Sequence, residues 1–317
     1  MRAARSGHAR RVALDVSIDE ARRVVTAFDP ALRANRIQRL HGGSTEVYRI
    51  DVDGGEPLVL KLYGEPISWL PRKEQLAVGW FAERLDFATP RWLALDESRE
   101  LLPVRYALTT FLAGGAVADL IGKVDLADIY RQMGALLRRI HAIPMPAYGY
   151  VTDIGIVDPK PTNAAYMDFA FQEAFDLFRR QGGDADLAGR LERIAADRAA
   201  LSASAGPVLC HDDFHQANLL AIRDHDGSPR LCGLLDFGNV RAADPVFDLA
   251  KTLFIMAHQD PDSREPFLAG YGPLDHPDPE RALWLYTLYH RVMMWSWLRR
   301  FGDSPDALLE DLKAMAR

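Results

Sequence analysis

Between Cys210 and Gly238 the chain reads His211-Asp212-Asp213-Phe214-His215-Gln216-Ala217-Asn218, then a turn, then Asp236-Phe237-Gly238. An Asp, an Asn five residues later and a second Asp after the next strand are the groups a phosphoryl-transfer centre needs. The carboxylate of Asp213 would orient and deprotonate a hydroxyl, while the Asn218 amide oxygen and the Asp236 carboxylate would hold Mg²⁺ on nucleotide phosphates. Magnesium takes hard oxygen ligands and keeps several waters, so a set this sparse suits it.

A second group lies upstream. Lys61 sits inside the apolar run Leu58-Val59-Leu60-Lys61-Leu62-Tyr63. A lysine in a buried strand costs desolvation unless an anion meets it, and nucleotide phosphates or a carboxylate would do so. Glu74, in the first turn of the following helix, is the expected carboxylate. The alternative leaves Lys61 on a solvated face and Glu74 merely favouring a helix N-terminus. Earlier still, His41-Gly42-Gly43-Ser44-Thr45 separates two strands. Glycine admits close backbone approach, so Gly43 and Ser44 are candidates to meet phosphates, although a Gly-Gly pair serves equally as a plain turn. Neither G-x-x-x-x-G-K-[ST] nor G-x-G-x-x-G occurs, which argues against a Walker loop or a dinucleotide fold.

A rival reading treats His211, Asp212, Asp213 and His215 as a metal-hydrolase cluster, with His141 and His290 as further ligands on helices. It leaves Lys61 and Asn218 without a role.

The elements that must position these groups follow from periodicity. Ser17 and Glu20 form a capping box at the start of a short amphipathic helix. Residues 37–40, 47–52 and 58–63 read as strands, with Asp53-Gly54-Gly55 as a hairpin signal. A helix over 72–85 and a strand over 105–112 complete a small lobe. Beyond Gly115 the pattern turns helical: Leu126, Ile129, Tyr130, Met133, Leu137 and Ile140 share one face. Residues 143–163, rich in Pro and Gly, read as a long surface connection, followed by helices marked by Phe171, Phe175, Phe178 and by Leu187, Leu191, Ile194. Two short strands, 217–222 and 231–235, interrupt the helices at the motif.

Composition sets the outer bounds. At 317 residues the chain is long enough for two lobes, and 48% hydrophobic with 26% charged residues is ordinary for a soluble protein. A net charge of −6 and a pI near 5.9 give no basic field for nucleic acid or an anionic membrane. Cys210 and Cys232 make no disulfide framework and read as buried free thiols. Residues 1–16 read as a disordered leader without a secretory pattern. No uninterrupted apolar run is long enough to span a bilayer, so the expectation is a cytoplasmic protein.

These residues resemble the aminoglycoside phosphotransferase and choline kinase-like family, small-molecule relatives of the protein kinases. The matching pieces keep their order: Gly42-Gly43-Ser44, Lys61, Glu74, the hinge-like Thr109 to Gly114, Leu136 to His141, His211-x-Asp213-x4-Asn218, Asp236, and Asp244-Pro245-x-x-Asp248-Leu249-Ala250. The resemblance implies an α+β, bilobal protein-kinase-like fold: a nucleotide-binding antiparallel sheet lobe over 17–112 and a larger, mainly helical lobe over 113–317. It implies Asp213 as base, Asn218 and Asp236 as Mg²⁺ ligands, and Lys61 on phosphate paired with Glu74. Backbone groups near Thr110 and Leu112 would hold the purine of ATP or GTP, and His211 and Asp248 would brace the catalytic loop. Asp212 departs from the family, which usually has Gly there; a second carboxylate would raise the Asp213 pKa or face a cationic substrate.

Asp248 follows Asp236 by twelve positions, and no Ala-Pro-Glu follows, so there is no room for a protein kinase's activation segment. The acceptor is expected to be a small alcohol, aminoglycoside-like by preference, with homoserine, choline, thioribose, fructosamine or macrolide as alternatives. Its binding residues and the oligomeric state are not assigned, and resistance and metabolism are both open as roles. Trp284, Trp295, Trp297, Tyr286 and Tyr289, with Asp260, Asp262 and Glu265, are compatible either with a cradle for a polycation or with core and solvated loop. A nucleotide-binding scaffold without turnover is the competing class.

Overall fold

Ser17 begins the first helix by reciprocal capping: its hydroxyl accepts the Glu20 N–H at 3.2 Å, and Glu20 accepts the Ser17 N–H at 2.8 Å. This is α1 (Ile18–Phe28) of a computed structural model that describes residues 14–317 apart from 41–44, 66, 226, 301 and 303. It packs Ala21, Val24 and Val25 on an antiparallel sheet of β1 (Ala34–Leu40), β2 (Glu46–Val52), β3 (Leu58–Tyr63), β4 (Trp92–Asp96) and β5 (Arg105–Thr110), in the order β1-β2-β3-β5-β4. Period-two alternation puts Leu58, Leu60 and Leu62 in that core and turns Lys61 to the other face. The edge strand β4 is absent from the sequence reading, because its residues are all half-buried and offer no alternating contrast. Val16 is buried in the same core and the Leu14 carbonyl accepts the Tyr48 hydroxyl at 2.6 Å. The leader expected over residues 1–16 has therefore given way to packed chain by Leu14; residues 1–13 lie outside the described ones.

Pro71 opens α2 (Leu70–Arg84), where a missing N–H costs nothing. Its face of Glu74, Ala77, Val78 and Phe81 is buried, and Phe81 meets Phe237 edge-on at 4.9 Å. The helix of the smaller lobe thus shares one core with the catalytic segment of the larger lobe.

The larger lobe continues with β6 (Gly115–Ala116), α3 (Ala127–Ile140), β7 (Tyr148–Thr152), β8 (Gly155–Lys160), α4 (Asn163–Arg180), α5 (Ala185–Ala195) and β9 (Val208–Cys210). Then come β10 (Leu219–Arg223), β11 (Pro229–Leu234), β12 (Arg241–Ala243), α6 (Pro245–Gln259), α7 (Arg264–Tyr271), α8 (Pro279–Arg300) and α9 (Asp306–Met315). Small sheets β11-β10-β6 and β8-β7-β12-β9 flank the catalytic loop. The segment expected to be a surface connection over 143–163 is instead the β7–β8 hairpin, with Tyr148 and Val151 buried. Its pairing with β12 (Arg241 opposite Tyr150, Ala242 opposite Gly149) provides partners from distant sequence that a Pro- and Gly-rich stretch cannot advertise. No helix among the described residues is long and apolar enough to cross a membrane.

Helices α3 and α7 approach at two glycines. A Cβ on Gly134 would lie 2.1 Å from the Phe267 carbonyl oxygen, and one on Gly270 would lie 2.0 Å from that of Arg131. Backbone cannot yield as a side-chain tip can, so Gly134→Ala is expected to destabilise by about 3 kcal/mol or more, read as a lower urea midpoint. An unchanged midpoint would show that the two helices are free to separate.

Candidate active site

The hairpin β10–β11 brings the metal-type ligands together. Leu219 pairs with Leu234, and the Leu235 N–H donates to the Asn218 carbonyl at 2.9 Å, so Asn218 and Asp236 emerge side by side at one end of the hairpin. The Asn218 amide donates to the Asp213 carbonyl oxygen (2.9 Å) and to its carboxylate Oδ2 (3.2 Å). With its donors so used, Asn218 has its amide oxygen left for a cation. That oxygen and the Asp236 carboxylate are hard donors suited to Mg²⁺.

From the opposite lobe, Lys61 Nζ meets Glu74 Oε1 at 2.6 Å and Asp236 Oδ1 at 3.6 Å. The Tyr63 hydroxyl donates to Glu74 Oε2 at 2.8 Å, which holds the carboxylate in place. Burial alone would lower the Lys61 pKa, but Asp236 and Glu74 outweigh it and hold the ammonium charged. Lys61, Glu74 and Asp236 thus meet across the lobes, and the Leu235–Asn218 backbone bond sets them beside the Asn218–Asp213 pair. Gly43 and Ser44 lie outside the described residues. At the hinge the Thr110 N–H donates to the Arg91 carbonyl at 2.9 Å and the Phe111 N–H to that of Pro57 at 3.3 Å. Leu112 lies beside Gly233.

Asp248 organises the loop from below. Its carboxylate accepts the backbone N–H groups of His211 (2.7 Å) and Asp212 (3.0 Å), and His141 Nε2 lies 3.2 Å away. His141 is completed by the Tyr271 hydroxyl at 2.8 Å, on the helix that Gly134 and Gly270 allow to come close. The His211 ring reaches the Leu235 carbonyl at 3.0 Å and packs among Phe81, Phe214 and Phe237. Those bonds tie the catalytic loop to the residue preceding Asp236.

The hydrolase alternative fares differently. Among the described residues, the one grouping of three with metal-type spacing is His141, Cys210 and Asp248, not the motif histidines. Its His and carboxylate atoms are already bonded to Tyr271 and to backbone. His290 binds the Phe247 carbonyl at 2.9 Å, and burial pushes its pKa down to about 4.

Asp212 behaves otherwise than expected. It is buried with φ +54°, a left-handed conformation that Asp tolerates better than most residues and glycine best. Its carboxylate meets Arg241 at 2.5 Å and Lys251 at 3.5 Å, and Lys251 also donates to its carbonyl. Its charge is not left open for a cationic substrate, because these two residues of the chain meet it. Nor is the Asp213 pKa raised: burial pulls upward, but Lys251 at 3.2 Å, with His215 and His211, holds the carboxyl well below its ordinary range. Sequence reasoning missed both cations. A lysine in the apolar run around Lys251 is the same signal that marked Lys61, so that one was within reach.

Three of the aromatics offered for a cradle are core residues. Trp295 packs against Phe178 at 4.4 Å, Tyr286 donates to Asp244 at 3.0 Å, and Tyr289 meets Phe171 edge-on and Phe247 at a tilt in the core. Asp260 accepts the Tyr130 hydroxyl at 2.6 Å. Cys210 is buried, whereas Cys232 is only half-buried.

Fold and site together define a two-lobed, protein-kinase-like molecule with a lysine–carboxylate clamp above an Asp/Asn/Asp centre. Residues 36–285 match the model of the phosphotransferase enzyme family, and the chain belongs to that family. It is similar to an N-acetylmuramate/N-acetylglucosamine kinase of Caulobacter vibrioides, 29% identical over 66% of this chain and 61% of that one. A Streptomyces griseus streptomycin 3''-kinase is 27% identical over 46% of this chain and 52% of its own. The match thus spans less than two thirds of either relative. Among solved structures, a thermostable mutant of aminoglycoside phosphotransferase APH(4)-Ia with ADP and hygromycin B superposes with a TM-score of 0.69 at 18% identity, covering 94% and 98% of the chains. The GDP complex of wild-type aminoglycoside 2'-phosphotransferase-IIIa gives 0.66 at 15% identity, covering 95% and 99%. At these identities the structural likeness speaks for the fold.

Proposed function

We infer that the chain is a magnesium-dependent kinase of a small alcohol, moving the γ-phosphate of ATP or GTP to a hydroxyl held at Asp213. The observation that carries this reading is the arrangement in which Lys61 meets Glu74 and Asp236 while Asn218 is bonded to Asp213. Mg²⁺ would be held by Asn218 and Asp236 and would offset charge on the phosphate oxygens. Lys61 would bind the α/β-phosphates, with Gly43 and Ser44 as further phosphate contacts. A purine would be met by Leu112 and by hinge carbonyls, because the Thr110 and Phe111 N–H groups are already bonded.

Asp213 accepts the hydrogen bond of the acceptor hydroxyl and points its oxygen in line with the γ-phosphorus. The new O–P bond forms as the bond to the nucleoside diphosphate breaks, and the hydroxyl proton passes to Asp213. In a loose transition state the proton leaves late, so the first task of this carboxylate is to orient the hydroxyl. The relatives' names, built on N-acetylmuramate, N-acetylglucosamine and streptomycin, support an acceptor of the sugar or amino-sugar type.

Incubation with Mg-ATP or Mg-GTP and a panel of sugars, amino sugars and simple alcohols is expected to yield a phosphorylated product by mass spectrometry. EDTA should abolish the reaction and Mg²⁺ restore it. A protein that removes no γ-phosphate, even slowly to water, under any of these conditions is a scaffold.

A further inference from the structure

The charges beside the acceptor position do not balance. Lys61 has Glu74 and Asp236, and Arg241 and Lys251 have Asp212 and Asp213, but Lys73 has no carboxylate partner. Arg241 and Lys251 each show a little surface, 13% and 14%, with Lys251 3.2 Å from Asp213 and Arg241 on the adjacent Asp212. Lys73 shows none. It is 0% exposed, its Nζ has no hydrogen-bond partner, and it sits 3.8 Å over the Tyr150 ring. The Arg241 guanidinium lies 5.7 Å from the same ring, and its Nε is likewise without a partner.

A buried ammonium without a hydrogen bond is a standing cost to stability. Burial, then Arg241, pushes the Lys73 pKa down to about 7; Asp212 and Glu74 pull upward and Lys251 adds to the push. A methionine would fill the same slot without that cost. Residues that break a packing rule this plainly are expected where a site needs them. Phosphate binding does not explain Lys73, because Lys61 already serves the nucleotide side.

We propose that this surplus receives an anionic group of the acceptor, a carboxylate or a phosphate, carried within a few bonds of the hydroxyl to be phosphorylated. Arg241 and Lys251 contact the anion while the hydroxyl lies on Asp213. Lys73 is a positioning residue that keeps the surroundings of Tyr150 and Arg241 positive. The proposal rests on the phosphotransferase reading above and narrows it to acidic acceptors, away from polycationic ones.

Matched acceptors test it: glucose, glucosamine, gluconate and glucose 6-phosphate, with kcat/KM measured for each and binding followed by thermal shift. The acids are expected to exceed the neutral and cationic sugars by about tenfold or more, and the carboxylate and phosphate arms separate the two anions. Lys73→Met should lower the acid-to-neutral ratio at least about fivefold by raising KM for the acid. The same variant should raise Tm. Because the folded Lys73 pKa lies below its ordinary 10.5, its cost is full below about pH 7 and fades as pH rises towards 10.5, so the gain in Tm should do likewise. A merely structural lysine would instead lose stability on substitution.

Preference for neutral or cationic sugars overturns the proposal while leaving the kinase reading intact, as does a Lys73→Met effect on nucleotide KM alone. If no sugar is phosphorylated, thermal-shift binding decides: stabilisation by the acids alone supports the anion site, and none overturns it. Loss of Mg²⁺-dependent γ-phosphate release, even to water, counts against the kinase reading separately.

Discussion

Asp213→Asn is expected to lose about 10²- to 10⁴-fold in kcat while nucleotide affinity changes little. The amide is nearly the same shape and still accepts one hydrogen bond, so packing and the contact to Asn218 survive. What it cannot do is take a proton or carry the charge that Lys251 now faces at 3.2 Å. The residues proposed to hold the nucleotide and its metal, Lys61, Glu74 and Asp236, are not touched by the substitution. Single-turnover transfer and equilibrium titration with a fluorescent ATP analogue separate the two quantities. Wild-type turnover in the variant would remove Asp213 from the base role, and a parallel loss of nucleotide affinity would mean that it acts on the metal-phosphate side instead.

Asp248→Ala should damage the fold more than any other single change at the site. One buried carboxylate accepts two catalytic-loop N–H groups and meets His141, so truncation strands three polar groups in a dry interior. Burial works to raise its pKa, but the His141 bond and charge, with His211, hold it below its ordinary range, as befits an anion that its surroundings favour. Breaking such a network costs about 3–5 kcal/mol, or roughly 10 °C in Tm for a chain of this size. Differential scanning calorimetry reads this directly. Tm within a degree or two of wild type would mean that the loop is held by its packing among Phe81, Phe214 and Phe237 rather than by Asp248.

Much of the centre is legible in the chain because its parts are close in sequence. Asp213, Asn218 and Asp236 belong to one loop and the hairpin that follows, and a single strand register sets their mutual position. Lys61 and Glu74 are separated by one loop, and the argument that a buried lysine needs an anion finds both. The same argument applied to the apolar run of α6 would have found Lys251. It would not have found Lys73, which lies between Arg72 and Glu74, where nothing in the residue types distinguishes the buried cation from the exposed one. The β7–β8 hairpin was illegible for another reason: its strand partner, β12, is distant in the chain, and a short strand is stabilised by its neighbours more than by its own composition.

By itself, the sequence determined the fold class and singled out, in their order, the residues proposed as phosphoryl-transfer groups, since these rest on residue type and short separations. Only the tertiary structure decided how charges are matched: that Asp212 is spent on Arg241 and Lys251, that Asp213 is held acidic rather than basic, and that Lys73 is left over. The physical reason is that electrostatic energy depends on distance and local dielectric. Both are fixed when α2, α6, β7 and β12 pack around one loop, and neither is written in the spacing of residues along a chain.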